Sequence, residues 1–347
     1  MRACVLTGTG GLQHLQLADV PDAPAPGPGN VRVALRAAAL NHLDLFVAQG
    51  IPGVDYTFPK IVGADGAGVI DAVGAGVSGV RAGDRVMINP GVSCRQCEFC
   101  RRGEHSLCVT YKILGEHLPG TLAEAITIPA ANVVAIPSLT PALSWAEAAA
   151  FSLVTLTAWR MVVTRARLVA GEWMLVWGVG GGVSLAALRI GKLLGARVIV
   201  TSSSDEKLAR AKALGADVTL NHRTQQVARE VRALTGKRGV DVVVDNVGEK
   251  TWGDSLRALA KGGRLVTCGG TTGPNLLTDV RPLFWHQYTI MGSTMGNDAE
   301  YAEIVRRLSA GELRPIVDRV YPFAEAVAGY AHLERGEQMG KVAVTMP

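Results

Sequence analysis

No stretch of this sequence is long and apolar enough to span a bilayer. The most apolar run, Trp173 to Leu188, is broken by Gly178, Gly180, Gly181 and Gly182 and falls short of the roughly 20 residues a membrane helix needs. There is also no block of like charges of the kind that marks an interaction tail. The 35 Lys and Arg outnumber the 30 Asp and Glu by a net +5, scattered along the chain, which argues against a nucleic acid or a membrane surface as partner. Met1 to Leu12 reads as a strand and a turn, without the basic segment and apolar core of a signal peptide. Internal repeats and low-complexity linkers are lacking. Cysteine is scarce: there are six, four of them crowded between Cys94 and Cys108. That distribution excludes a disulfide framework and points to a metal in a reducing compartment, the cytoplasm.

What remains is a globular composition. The chain has 347 residues, 48% hydrophobic and 19% charged, more than one ordinary core needs, so two domains are expected. Up to about residue 150 the sequence is dense in Gly, Pro and Val. Short strand-forming runs (Val31–Leu35, Gly68–Val73, Arg85–Ile88) are punctuated by turn signals at Pro26–Gly29, Gly74–Gly76 and Asn89–Gly91, the pattern of an irregular β-rich domain. Beyond Thr157 apolar strands alternate with helices: Met174–Trp177 then Val183–Leu194, and Arg197–Thr201 then Asp205–Leu214. Val218–Leu220 precedes Thr224–Leu234, Val240–Asp245 precedes Lys250–Ala260, and Arg264–Cys268 follows. Such alternation predicts an α/β doubly wound parallel sheet covered on both faces. The tail holds two amphipathic helices, Glu300–Leu308 and Phe323–Leu333, and a last strand, Lys341–Val344.

Three groups of residues carry chemistry. The first is the turn Gly178-Val179-Gly180-Gly181-Gly182-Val183 between a strand and a helix. Its glycines let the backbone approach a pyrophosphate, while the helix N-terminus presents N–H groups and a favourable dipole. An NAD site places an acid at the end of the next strand, about 20 residues on. Here Val198-Ile199-Val200 runs into Thr201-Ser202-Ser203-Ser204, and the next acid, Asp205, opens a helix where capping accounts for it. Ser202, Lys207 and Arg223 instead suit the 2′-phosphate of NADPH. The second group is Cys94-x2-Cys97-x2-Cys100-x7-Cys108. Four thiolates at this spacing close a tetrahedral zinc site with no position open for substrate, so the zinc is structural, one per chain. An iron–sulfur cluster fits less well, because its bacterial run has three residues before the last Cys and a Pro after it.

The third group emerges from a resemblance. Asn41-His42-Leu43-Asp44, Gly63-Ala64-Asp65-Gly66-Ala67-Gly68-Val69, Gly83-Asp84-Arg85-Val86, the cysteine lobe, Leu156-Thr157-Ala158, the glycine turn, Gly262-Gly263-Arg264 and Gly340-Lys341-Val342 follow one another in order. Together they resemble the medium-chain dehydrogenase/reductase superfamily, which contains zinc alcohol dehydrogenases and quinone oxidoreductases. The resemblance implies a GroES-like catalytic domain at 1–153 with the zinc lobe at 90–110, a Rossmann domain at 154–292, and a segment 293–347 returning to the first domain. It adds Thr157 beside the nicotinamide and Gly269 to the cofactor-binding residues. Zinc alcohol dehydrogenases carry a Cys at the position of Asn41, a His–Glu pair at Ala64-Asp65, and a further ligand near Leu153. A catalytic zinc needs three protein ligands, and these residues do not provide them.

The expectation is therefore an NADPH-dependent reductase of quinones, or of the C=C bond of enones and enoyl compounds, acting on a small-molecule substrate as a homodimer or homotetramer. Asn41 would donate a hydrogen bond to the substrate carbonyl or else pin a loop. Asp65 would be a proton donor or the partner of a cation, and His42 a contact for the cofactor or the backbone. Trp285 and His286, read as a strand start, would be core or would line the substrate pocket. Two other readings stay open: a zinc-dependent alcohol dehydrogenase, and a dinucleotide-binding sensor or structural protein with little turnover.

Overall fold

The computed structural model describes residues 1–347, which divide into two compact units, Met1–Leu153 with Asn297–Pro347, and Val154–Gly296. None of the helices is long and apolar enough to cross a membrane.

The first unit is β-rich. Its seven-stranded sheet runs Val133–Ala135, Arg85–Ile88, Asp65–Val73, Asn30–Ala39, Lys341–Thr345, Val317–Pro322, with Ala125–Pro129 also pairing to Asn30–Ala39. A smaller sheet joins Leu15–Asp19, Arg2–Leu6 and Lys60–Ile61. Along Asn30–Ala39 the sequence alternates: Val31, Val33 and Leu35 are buried and Arg32, Ala34 and Arg36 are not, as a strand with one covered face requires. At Ala37–Ala39 burial becomes continuous, and only small side chains are used. There the strand lies between Asp65–Ala67 and Ala343–Thr345, both antiparallel to it. Val31, Val33, Leu35, Ile70, Val342, Val344 and Tyr330 share one apolar core, each Val or Leu contributing roughly 1.5–3 kcal/mol by its burial.

The second unit is a six-stranded sheet in the order Val218–Asn221, Arg197–Ser202, Trp173–Val176, Val240–Asp245, Leu259–Thr267, Thr289–Gly292. All neighbours are parallel. All six residues of Val240–Asp245 are buried, which is why the strands read as unbroken apolar runs. The order reverses between Trp173–Val176 and Val240–Asp245, the switch point at which Rossmann sheets bind dinucleotides.

Several expectations need correction. The tail begins at Asn297, not at 293, because Ser293 donates to the Thr267 carbonyl and Met295 accepts from the Thr157 hydroxyl. Lys250–Ala260 splits into a helix, Glu249–Ala258, and a strand that starts at Leu259 and pairs with Val240. Trp285 ends a helix, Val280–Trp285, and is 72% exposed, so it is neither a strand start nor core. A π-helical stretch, Arg160–Arg165, extends the helix Ser152–Trp159, a feature for which the sequence carries no period of its own.

Candidate functional site

In the second unit the glycine turn lies at the switch point. Gly178 has φ +66°, a conformation that favours glycine. The Gly178 and Val179 N–H groups are held by the Thr201 hydroxyl and carbonyl at 3.2 and 2.7 Å. Gly181 caps the helix Gly182–Leu193, and a Cβ placed on it would meet nothing within 4 Å. Open space in front of a helix N-terminus is what a pyrophosphate requires. Three buried polar atoms without hydrogen-bond partners, Trp177 Nε1, Asn246 Oδ1 and Ser293 Oγ, each directly follow the carboxyl end of a strand of this sheet, where open α/β sheets take their ligands. The residues present thus fit a dinucleotide. Val183 lies in the first turn of the helix, Gly269 stands just past Leu259–Thr267, and Thr157 is buried with its hydroxyl 3.7 Å from Met295 Sδ.

At the adenosine end, sheet register sets Ser202 opposite Asn221, which brings it close to Arg223 in the chain. Ser202 Oγ accepts from Ser204 N–H, and Ser204 Oγ accepts from Lys207 N–H. Asp205, the first acid after the strand end, receives the Asn221 amide at 2.7 Å, so its carboxylate is already engaged.

In the first unit the four cysteines of the lobe converge: the Sγ atoms of Cys94, Cys97, Cys100 and Cys108 lie within 4.8 Å of one another. Backbone N–H groups point at the sulfurs, from Cys97 to Cys94 and from Cys94 to Cys108 at 3.3 and 3.2 Å. Burial opposes the Cys108 thiolate, yet the N–H groups of Cys94 and Thr110 bring its pKa down to about 6. Four sulfurs that close, with donors behind them, fit a structural zinc.

The cluster around Asp65 is the most informative part of the molecule. Asp65 is fully buried. Its Oδ1 accepts from the Leu153 N–H at 2.9 Å, its Oδ2 from Asn41 Nδ2 and Lys341 Nζ, both at 3.0 Å. Lys341, 4% exposed, also donates to Asn41 Oδ1. The remaining Asn41 N–H goes to the Ala39 carbonyl at 3.2 Å. Strand pairing makes this arrangement: Ala39 faces both Asp65 and Ala343, and Gly340, at φ +123° with its backbone against the Ile316 carbonyl, aims Lys341 inward.

For two residues this geometry favours one of the two readings left open. Asn41 has both amide hydrogens and its oxygen engaged, so it is a pin within the network and not a free donor for a substrate carbonyl. Asp65 is an acceptor at both oxygens, the arrangement of a carboxylate paired with a cation, not of an acid that gives up a proton. His42 opens the helix His42–Gln49, and burial, then the Lys341 charge, hold its pKa below the usual imidazole value, so it stays neutral. Asp44 in the same helix accepts from the Asn41 N–H and the Tyr330 hydroxyl, and burial lifts its pKa to about 7. Lys341 is the residue sequence reasoning missed. It stood in plain view as one charged residue heading an apolar strand after a glycine.

Comparison with known proteins adds names to this geometry. The family description for the alcohol dehydrogenase GroES-like domain matches residues 27–138, and that for zinc-binding dehydrogenases matches residues 182–310. The chain is 31% identical over 350 residues to an NAD-dependent alcohol dehydrogenase of Sulfurisphaera tokodaii, covering 98% of this chain and 99% of the relative. It is equally 31% identical over 357 residues to an acryloyl-coenzyme A reductase of Metallosphaera sedula, covering 99% and 100%. A crystal structure of an NAD-dependent alcohol dehydrogenase superposes on it with a TM-score of 0.95 at 46% identity over 100% of both chains.

Proposed function

This chain belongs to the zinc-type alcohol dehydrogenases of the medium-chain dehydrogenase/reductase superfamily, and from that premise we propose that it is an NADPH-dependent reductase of quinones or of the C=C bond of enones and enoyl thioesters, working without a catalytic zinc. That it is an NAD(P)-dependent oxidoreductase follows from its relatives. The observation that carries the finer reading is the ammonium of Lys341 within hydrogen-bond distance of both Asn41 and Asp65. At the position where the superfamily's zinc dehydrogenases gather three ligands, Asn41, Ala64 and Leu153 offer no thiolate or imidazole. The one carboxylate already has a cation, so a divalent metal would face both a depleted donor set and a like charge.

Bound NADPH supplies the hydride. The chain's part is to hold it: Gly178, Gly180, Gly181, Gly182 and Val183 at the pyrophosphate, Thr157 and Gly269 toward the nicotinamide, and Ser202, Lys207 and Arg223 toward the 2′-phosphate. His42, neutral, serves as a hydrogen-bonding contact, and Asn41 and Asp65 position the start of the helix that carries it. NADPH is expected to bind more tightly than NADH by about tenfold or more, roughly 1.4 kcal/mol, measured by fluorescence titration. The name of the acryloyl-coenzyme A reductase relative supports the enoyl class of acceptor.

The competing reading, a zinc-dependent alcohol dehydrogenase, draws on the relatives named alcohol dehydrogenases. Metal analysis divides them: about one zinc per chain supports the reductase, about two the dehydrogenase, since the latter needs a closed and an open site. A protein that bound NADPH yet oxidised none across quinones, enones and enoyl thioesters would be a sensor instead. We further propose a cytoplasmic homodimer or homotetramer, with neither nucleic acid nor membrane as partner. The edge strand Thr289–Gly292, with Phe284 and Trp285 exposed beside it at 64% and 72%, is the surface for a second copy; gel filtration with light scattering tests it.

A further inference from the structure

Two segments of the first unit place Lys341, the strand beside it and the turn before it, and one histidine reaches both. His332 lies near the end of the helix Ala326–Glu334 and is 5% exposed. Its Nε2 stands 3.3 Å from Asp318 Oδ2, and its Nδ1 stands 3.2 Å from Glu337 Oε2. Asp318 is the bulged residue of the strand Val317–Pro322, between Val317, which faces Lys341, and Arg319, which faces Val342. Glu337 belongs to the turn that runs from the helix end at Arg335 to Gly340.

Close as it is to a carboxylate, Nδ1 is buried without a hydrogen bond. A neutral imidazole has one donor and one acceptor, whereas a carboxylate only accepts. A neutral ring that donates to Asp318 therefore turns a lone pair on Glu337, out of reach of water, which is unfavourable. The imidazolium has a donor for each carboxylate. Glu337 is held as its anion, since the Arg335 guanidinium, and after it the His332 ring, keep its carboxyl below the ordinary glutamate value. The other charges around the ring are two exposed cations: Arg319, beside Asp318, Glu337 and the Tyr321 phenol, and Arg335, which donates to Glu337 at 2.9 and 3.1 Å. The Tyr321 ring itself stands 6.2 Å from the imidazole. On the elements packed against the helix, Asp44 is taken by Tyr330 and Lys341 by Asp65. His14 lies against Gly8, and Glu325 and Glu334 face solvent.

We propose that His332 is a proton-operated latch on the seat of Lys341. Charged, it donates to Asp318 and Glu337 together and holds the turn 335–340 to the strand Val317–Pro322. Neutral, it keeps Asp318, releases Glu337, and the turn loosens. Gln338, the next residue of that turn and 3% exposed, has a buried Oε1 without a partner, so its side-chain oxygen does not fasten the turn in place of Glu337. The latch is closed on the acid side of the imidazole range and opens as pH rises through it. Opening frees the residues that deliver the ammonium to Asp65 and Asn41.

The test is native-state hydrogen exchange of the full-length protein at about pH 6 and about pH 8, on either side of the imidazole range, with rates corrected for intrinsic pH dependence. Protection at 335–341 is expected to fall several-fold between the two, while the strand Val240–Asp245 keeps its own. Glu337→Gln, at an exposed position, removes the carboxylate that needs the second proton and is expected to give equal protection at both pH values. His332→Gln should do the same. The parent's fall should persist in Asp44→Asn, because Asp44 titrates through Tyr330 and not through the turn. Equal protection in the parent overturns the latch. So does a parent-like fall in Glu337→Gln, or loss of the fall in Asp44→Asn. None of these readouts depends on the acceptor reduced, so the reductase reading stands or falls on its own test.

Discussion

Two places in the first unit gather groups suited to a cation, and they solve the problem in opposite ways. In the lobe from Cys94 to Cys108 four sulfurs face one another with no positive charge among them, so the cation must come from solution. Around Asp65 the cation is built into the chain as the Lys341 ammonium. The first arrangement holds a loop only while metal is bound. The second is permanent and independent of metal supply, but it cannot act as a Lewis acid. Four sulfurs suit a metal held for architecture, whereas the buried carboxylate beside Asn41 has its counter-charge within the chain.

The comparison can be broken at either place. The largest effect is expected at the lobe, where zinc binding is worth about 10 kcal/mol or more. Cys100→Ser should abolish zinc binding and leave residues 90–110 open to hydrogen exchange, read by metal analysis and mass-resolved exchange. Next comes Lys341→Met, which leaves Asp65 buried without its cation and should cost about 3–5 kcal/mol, measured by urea unfolding with zinc saturating. If that variant instead gained a second zinc, the ammonium would have been guarding a metal site. Asn41→Ala removes the amide but keeps the ion pair, so a loss of only about 1–3 kcal/mol is expected, with the zinc content unchanged.

The gentlest probe is pH. Asp44 holds its proton in the folded chain up to about 7, whereas an unfolded aspartate releases it near its ordinary value of about 4. Between those limits the folded state binds more protons, so this group's contribution to stability is present at the acid end and lost as pH rises toward 7. Denaturation midpoints for the parent and Asp44→Asn should lie closest at the acid end of that window and separate as pH rises toward 7, the variant lacking the downward slope.

Much of this was legible in the sequence because it depends on local order. Strand–helix alternation, the glycine turn and the cysteine spacing are each set within a few dozen residues, and the structure places Leu153 against Asp65 as the resemblance implied. What could not be read was closed by contacts across the chain. The role of Asn41 followed from who takes its two hydrogens, and one of those partners comes from a strand that meets it only in the sheet. Lys341 is 300 residues away from Asn41, and no periodicity links them. Trp285 misled for a related reason: an aromatic read as a strand start is expected in the core, whereas it ends the helix Val280–Trp285 and is exposed.

The strand carrying Lys341 sets a timetable. During synthesis Asn41 and Asp65 leave the ribosome early and Lys341 more than two hundred residues later, about ten seconds or more at ordinary elongation rates of 5–20 residues per second. Through that interval the Asn30–Ala39 strand has one edge without its partner and Asp65 has no counter-charge, so the first unit cannot reach its final packing. The second unit, continuous from Val154 to Gly296, is complete before that strand arrives. The nascent protein should therefore finish its six-stranded parallel sheet first, and close the buried network around Asp65 last.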